Sequence, residues 1–66
     1  MRIILNGDSF ELTSPVTVTT LLERLNIDSR RVAGEHNLVV LKRALYDGTT
    51  VREGDQIEIV NFVGGG

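Results

Sequence analysis

Sixty-six residues suffice for one domain, and a chain of this size buries only about 60% of the surface it exposes when unfolded, which excludes a two-domain architecture or a deep active-site cleft. It contains no cysteine, so disulfides, a thiolate zinc site and a thiol nucleophile are excluded too. Seven basic against nine acidic side chains give a net charge of -2, which argues against a partner held by phosphate neutralisation, and no nucleic-acid partner is expected.

Hydrophobic residues at 41% and charged residues at 24% match globular chains and depart from the profile of disorder, so a small packed core is expected. The longest apolar run, Leu38–Leu41, is too short to span a bilayer, and Met1–Gly7 lack a secretory apolar segment. No membrane partner is expected, and the default compartment is the cytoplasm.

Arg2–Leu5, Asn6-Gly7-Asp8 and Ser9–Thr13 read as a β-hairpin, because Asn-Gly tolerates positive φ in a tight turn and Phe10 and Leu12 alternate with polar residues. The first strand is expected to be the more buried one. Pro15 ends the extended run, and the Thr17 hydroxyl is placed to accept a bond from an orphan amide of a following helix. Val18, Leu21, Leu22 and Leu25 fall at i, i+3, i+4 and i+7 and form one apolar stripe. Val16 and Leu21 are spaced as a hydrophobic staple, Asn26 suits a left-handed residue after the helix, and Ile27 then covers the helix end. So short a helix needs a sheet to lie on.

Beyond the polar loop Asp28–Arg31, Val32–Glu35 reads as a strand, His36-Asn37 as a turn and Leu38–Leu41 as the returning strand. Gly34 inside a strand marks a bulge or a close backbone approach. Lys42–Val51 reads as mostly irregular, with a turn at Asp47-Gly48 and a short extended piece at Thr49–Val51. Glu53-Gly54-Asp55 is a further turn, and Gln56–Phe62 is a final strand. In that strand Val60 and Phe62 share the face of Gln56 and Glu58, which those residues mark as solvated. The order ββαβββ, with the helix covering one face of a mixed sheet, is the β-grasp arrangement, an α+β fold. Residues 1–62 are expected to form the single domain and 63–66 a flexible C-terminal glycine tail.

Catalytic side chains are nearly missing. His36 lies in an expected turn and reads as a solvated imidazole, and Asp47, Glu53, Asp55 and Glu58 read as a solvated acidic edge without calcium-loop spacing, so no metal site is expected. The glycines form no phosphate-cradling pattern. Gly64-Gly65-Gly66 remains, either as a frayed end or expression remnant or as a reaching arm. Without Cβ atoms such an arm threads a narrow channel, and Val63–Gly66 fully extended would carry the terminal carboxylate about 13 Å beyond Phe62 at roughly 3.3 to 3.6 Å per residue. Joined to AMP by ATP, that carboxylate becomes an electrophile that a sulfur or nitrogen nucleophile can attack. Val60 and Phe62 then have a use as an apolar dock beside the tail, the other reading being edge packing against the chain's own loops.

Ile3–Asn6-Gly7, Val18–Glu23, Val32-Ala33 followed by Asn37, Glu53–Val60 and, above all, Phe62-Val63-Gly64-Gly65-Gly66 resemble the ThiS family, the sulfur carrier proteins of thiamine biosynthesis, over essentially the whole chain. The resemblance implies a ubiquitin-like β-grasp fold and a carrier that is a protein co-substrate, with no enzymatic activity or cofactor of its own and monomeric when free. It implies that the Gly66 carboxylate is adenylylated by a ThiF-type enzyme with ATP, converted to a thiocarboxylate, and drawn on for sulfur by thiazole synthase, ThiG. Gly64 and Gly65 are then the tail. Val60, Phe62, Val63 and Glu58 are the expected partner-binding residues, with Glu53 and Asp55 beside Glu58 facing a basic surface on the activating enzyme. Two residues depart from the family pattern: Gly34, where a larger strand residue is usual, and Leu38, where a turn glycine is common. The rival readings are a carrier like the small subunit of molybdopterin synthase, which is usually longer, a ubiquitin-like tag forming amide links, and a β-grasp interaction module with an inert tail.

Overall fold

In the computed structural model, which describes residues 1–61, the chain opens with the expected hairpin. Strands β1 (Arg2–Leu5) and β2 (Asp8–Glu11) pair antiparallel across Asn6-Gly7, whose φ angles of 50° and 85° are both left-handed. Ile3 in β1 is fully buried, whereas no residue of β2 is, so the first strand is the inner one.

Next come β3 (Val16–Thr17) and the helix α1 (Val18–Arg24). The Thr17 Oγ1 accepts from the Thr20 amide at 3.1 Å, the capping role its position predicted. At the other end Asn26 stands at φ 57°, its amide donates to the Glu23 carbonyl at 3.1 Å, and the Ile27 amide donates to the Leu22 carbonyl at 2.9 Å. These two bonds form a Schellman motif, with Ile27 packed on the core as expected. β3 itself was not expected. Two residues carry no alternation signal, and Val16–Thr17 become a strand only by pairing with the distant Thr50–Val51.

Ser29–Arg31 form a single 3₁₀ turn capped by Asp28, whose carboxyl the Arg30 side chain and amide hold down at about 2. Strands β4 (Val32–His36) and β5 (Val39–Leu41) follow. Their turn is Asn37-Leu38 rather than His36-Asn37, since it is Asn37 (φ 51°) and Leu38 (φ 71°) that take left-handed conformations. A leucine at such a φ is strained by about 1–2 kcal/mol. Because Leu38 is exposed, Leu38→Gly is expected to raise stability by about 1 kcal/mol, read as a higher urea midpoint at unchanged slope. A lower midpoint would show that the leucine is held in place by packing.

Gly34 makes no bulge, because its register with Ile59 of the neighbouring strand continues unbroken on both sides. It is a close approach. A Cβ at Gly34 would stand 3.3 Å from the Tyr46 hydroxyl oxygen. That tyrosine is buried by a 3₁₀ helix over Arg43–Gly48, so the stretch expected to be irregular is ordered and supplies a core residue. Strands β6 (Thr50–Val51) and β7 (Gln56–Asn61) complete the described chain.

The main sheet has the order β2-β1-β7-β4-β5, with β1 and β7 parallel and the other neighbours antiparallel, and β3 pairs with β6 in a separate two-stranded ribbon. Val18, Leu21 and Leu22 of α1 join Ile3, Val32 and Ile57 of the sheet in one core closed by Tyr46 and Val51. Each such side chain contributes about 1.5–3 kcal/mol on burial. Among the described residues one sheet face is used this way, and the other face of β4, β5 and β7 carries no helix.

Candidate functional site

The last described strand, β7, leads at Asn61 toward the C-terminus. Phe62, Val63, Gly64, Gly65 and Gly66, five of the residues singled out for tail and docking roles, lie outside the described residues. Glu58 and Val60 sit on the sheet face opposite the helix: Glu58 is exposed, and Val60 is 60% exposed, as the change of pattern along the strand predicted.

Those two side chains line a shallow groove of about 300 Å³ together with Ala33, Glu35, Leu38 and Val40. Leu38 and Val40 are 76% and 71% exposed, so the groove is framed by apolar side chains that the chain's own core does not use. These framing residues were missed in the sequence. The available signal was the unbroken run Leu38–Leu41: a strand apolar at every position must show some of those residues to solvent if only one of its faces is covered.

Glu53 and Asp55 precede β7, whose six residues at about 3.3 Å each place them roughly 20 Å from its last described residue, Asn61, so neither stands beside Val60. Both are engaged elsewhere. Glu53 Oε1 accepts from the Arg2 amide at 3.1 Å. Asp55 Oδ2 accepts from His36 Nε2 at 2.8 Å and from the Arg52 amide at 2.9 Å, and Oδ1 accepts from Asn37 Nδ2 at 3.3 Å. Burial of Asp55 works to raise its pKa, but the hydrogen bonds from His36, Arg52 and Asn37 outweigh it, and the carboxyl lies below the usual range. His36 is therefore no free imidazole in a turn: it closes β4, its side chain is 25% exposed, and it is spent on Asp55. Asp47 likewise accepts a bond from the Thr19 hydroxyl. Among the described residues no group of three or more His, Asp or Glu is placed to hold a metal ion, and no helix is long and apolar enough to cross a membrane.

A hairpin, a helix laid across the sheet, and first and last strands paired in parallel at its centre define a β-grasp domain. Here, among the described residues, one sheet face carries no helix, and it lies beside the strand that leads toward Gly64-Gly65-Gly66. Residues 3–66 match the ThiS family, and the chain belongs to that family. Its structure superposes on the crystal structure of the thiamine biosynthesis protein ThiS from Geobacter metallireducens with a TM-score of 0.88 and 36% identity, each chain covered in full. The chain is also 41% identical over its 66 residues to the thiazole synthase of Paramagnetospirillum magneticum and 39% identical to that of Magnetococcus marinus. It spans only 20% of the length of each of these two relatives.

Proposed function

We propose that this chain is a sulfur carrier for thiazole formation in thiamine biosynthesis, with the Gly66 carboxylate as its reactive group. A carboxylate oxygen of Gly66 attacks the α-phosphorus of ATP in the site of a ThiF-type enzyme, pyrophosphate leaves, and an acyl-adenylate forms. Hydrosulfide supplied by a sulfur donor then attacks the acyl carbon, the bond from that carbon to the AMP oxygen breaks and AMP leaves, so the terminal carboxylate has exchanged one oxygen for sulfur. The thiocarboxylate is the sulfur source for thiazole synthase. Gly64 and Gly65 give the end of the chain the slenderness to enter a partner's site, while Val60, Phe62, Val63 and Glu58 meet the partner. ATP and the catalytic groups belong to the activating enzyme, and the free carrier is a monomer.

The observation that carries this reading is the family match running through the three terminal glycines on a β-grasp domain. Two relatives named thiazole synthase, of which a segment like this chain makes up one fifth, support thiazole synthase as the recipient.

The test is intact mass. After incubation with a ThiF-type enzyme, ATP and a sulfur donor, the full chain is expected to gain the difference between sulfur and oxygen, and a chain ending at Gly65 is expected to gain nothing. No gain in the full chain, with the enzyme active on another carrier, would overturn the reading.

A further inference from the structure

Glu35 and Glu58 stand directly opposite each other on β4 and β7 and point to the same bare face. Side chains so paired have Cβ atoms about 4.5–5.5 Å apart, and like charges there are destabilising. Among the described residues neither carboxylate has a salt bridge or a side-chain hydrogen bond, and residues 62–66 contain no basic side chain. Lys42, just beyond β5, pairs with neither.

A second cost lies next to the first. Leu38 holds a left-handed φ of 71° while mostly exposed, and Val40, the cross-strand partner of Glu35, is mostly exposed as well. The free domain thus bears a repelling carboxylate pair, a strained turn and exposed aliphatic groups around one groove, and nothing in its own core requires any of them.

We infer that the groove between β5, β4 and β7 is a docking surface for an arginine side chain presented from an apolar patch of the protein that works on the C-terminus. Charge complementarity selects the occupant. A guanidinium is planar, carries five donors and can bond two carboxylates at once, whereas an ammonium is a compact, strongly hydrated charge. Its aliphatic stem lies against Val40 and Val60 as Glu35 and Glu58 receive the head. The position fits as well, since Glu58 and Val60 belong to the strand that runs into the tail, so a partner seated here is beside the point where the reactive terminus begins. The identity of that partner as a ThiF-type enzyme rests on the carrier reading above; the docking chemistry rests on the sheet face.

The decisive experiment titrates the full chain into a ThiF-type adenylyltransferase without ATP, by calorimetry at low and physiological salt, beside the double variant Glu35→Gln, Glu58→Gln, with thermal unfolding of both free chains. The wild-type chain is expected to bind with salt-dependent affinity. The variant is expected to bind about tenfold more weakly or worse and with a flattened salt dependence, while unfolding at an equal or higher midpoint because the repulsion is gone. Opposite movement of binding and stability is the signature, since residues with a merely structural role would weaken both. Equal affinity of variant and wild type would overturn the inference, as would absence of binding by the wild-type chain, weaker binding accompanied by a lower midpoint, or a wild-type dimer in sedimentation that the variant loses, which would make a second copy the occupant. Weakened variant binding without any mass gain in the sulfur-transfer assay would sustain the docking surface and overturn the carrier reading. A mass gain with equal affinities would do the reverse.

Discussion

Replacing Leu22 with aspartate is expected to abolish the folded state. Leu22 is 1% exposed and sits where α1 meets the sheet, and its carbonyl also receives the Ile27 amide that closes the helix. Truncating such a leucine to alanine alone costs about 2–5 kcal/mol. Aspartate adds the cost of placing a carboxyl among Ile3, Leu21 and Ile57, met either by burying a charge or by taking up a proton. A domain of this length has a total stability of about 3–10 kcal/mol, so the sum exceeds what the rest of the fold can supply. Circular dichroism against temperature is the check. The variant should show no cooperative transition, and a transition near the wild-type midpoint would mean that the helix does not depend on its sheet.

The next largest effect is expected at Asp55. Asp55→Ala removes the acceptor shared by His36, the Arg52 amide and Asn37, which together tie the β4–β5 hairpin to the start of β7. Charge-assisted bonds at a side chain only 16% exposed make the loss about 2–3 kcal/mol at neutral pH. The pH dependence has a definite sign. The folded-state pKa of Asp55 is depressed, so its contribution is present above the ordinary aspartate value of about 3.9 and is lost as pH falls through the lower folded value. Stability curves of wild type and Asp55→Ala should therefore lie apart at neutral pH and converge below about pH 4. Asp28 titrates in both proteins and does not affect the difference. Parallel curves down to the acid limit would show that Asp55 acts through shape and not through its charge.

Leu22 and Asp55 act on one side of the sheet and at one end of β7, and the groove lies on the other side. That division has a functional logic. The helix-covered face carries the stability, which leaves the opposite face of β4, β5 and β7 free to hold residues that cost the isolated domain something, such as Glu35 against Glu58 and Leu38 in its turn. Val60 belongs to this second set, and Ile57, three positions earlier on the opposite face of the same strand, to the first.

What the sequence determined by itself is everything set by neighbours a few residues apart. Asn6-Gly7 turns the first hairpin, Thr17 starts α1, Asn26 and Ile27 end it, and the Val18–Leu25 stripe chooses its buried face, because each of these interactions closes within one turn of chain. The family resemblance was legible for the same kind of reason, as short motifs in fixed order. What only the tertiary structure decided is what long-range pairing creates. β3 exists because Val16 meets Val51, and the stretch around Tyr46 is ordered because that side chain closes the core over Gly34. Asn6, read only as a turn residue, also accepts the Ile59 amide with its side chain at 2.7 Å and so helps join β1 to β7. His36 met Asp55, and Glu35 was set against Glu58, by the register of β4 on β7. A register is the joint result of many contacts between segments far apart in the chain, and a slip of one residue would turn every side chain to the other face. No local pattern records that choice, and it is the choice that assembles the groove.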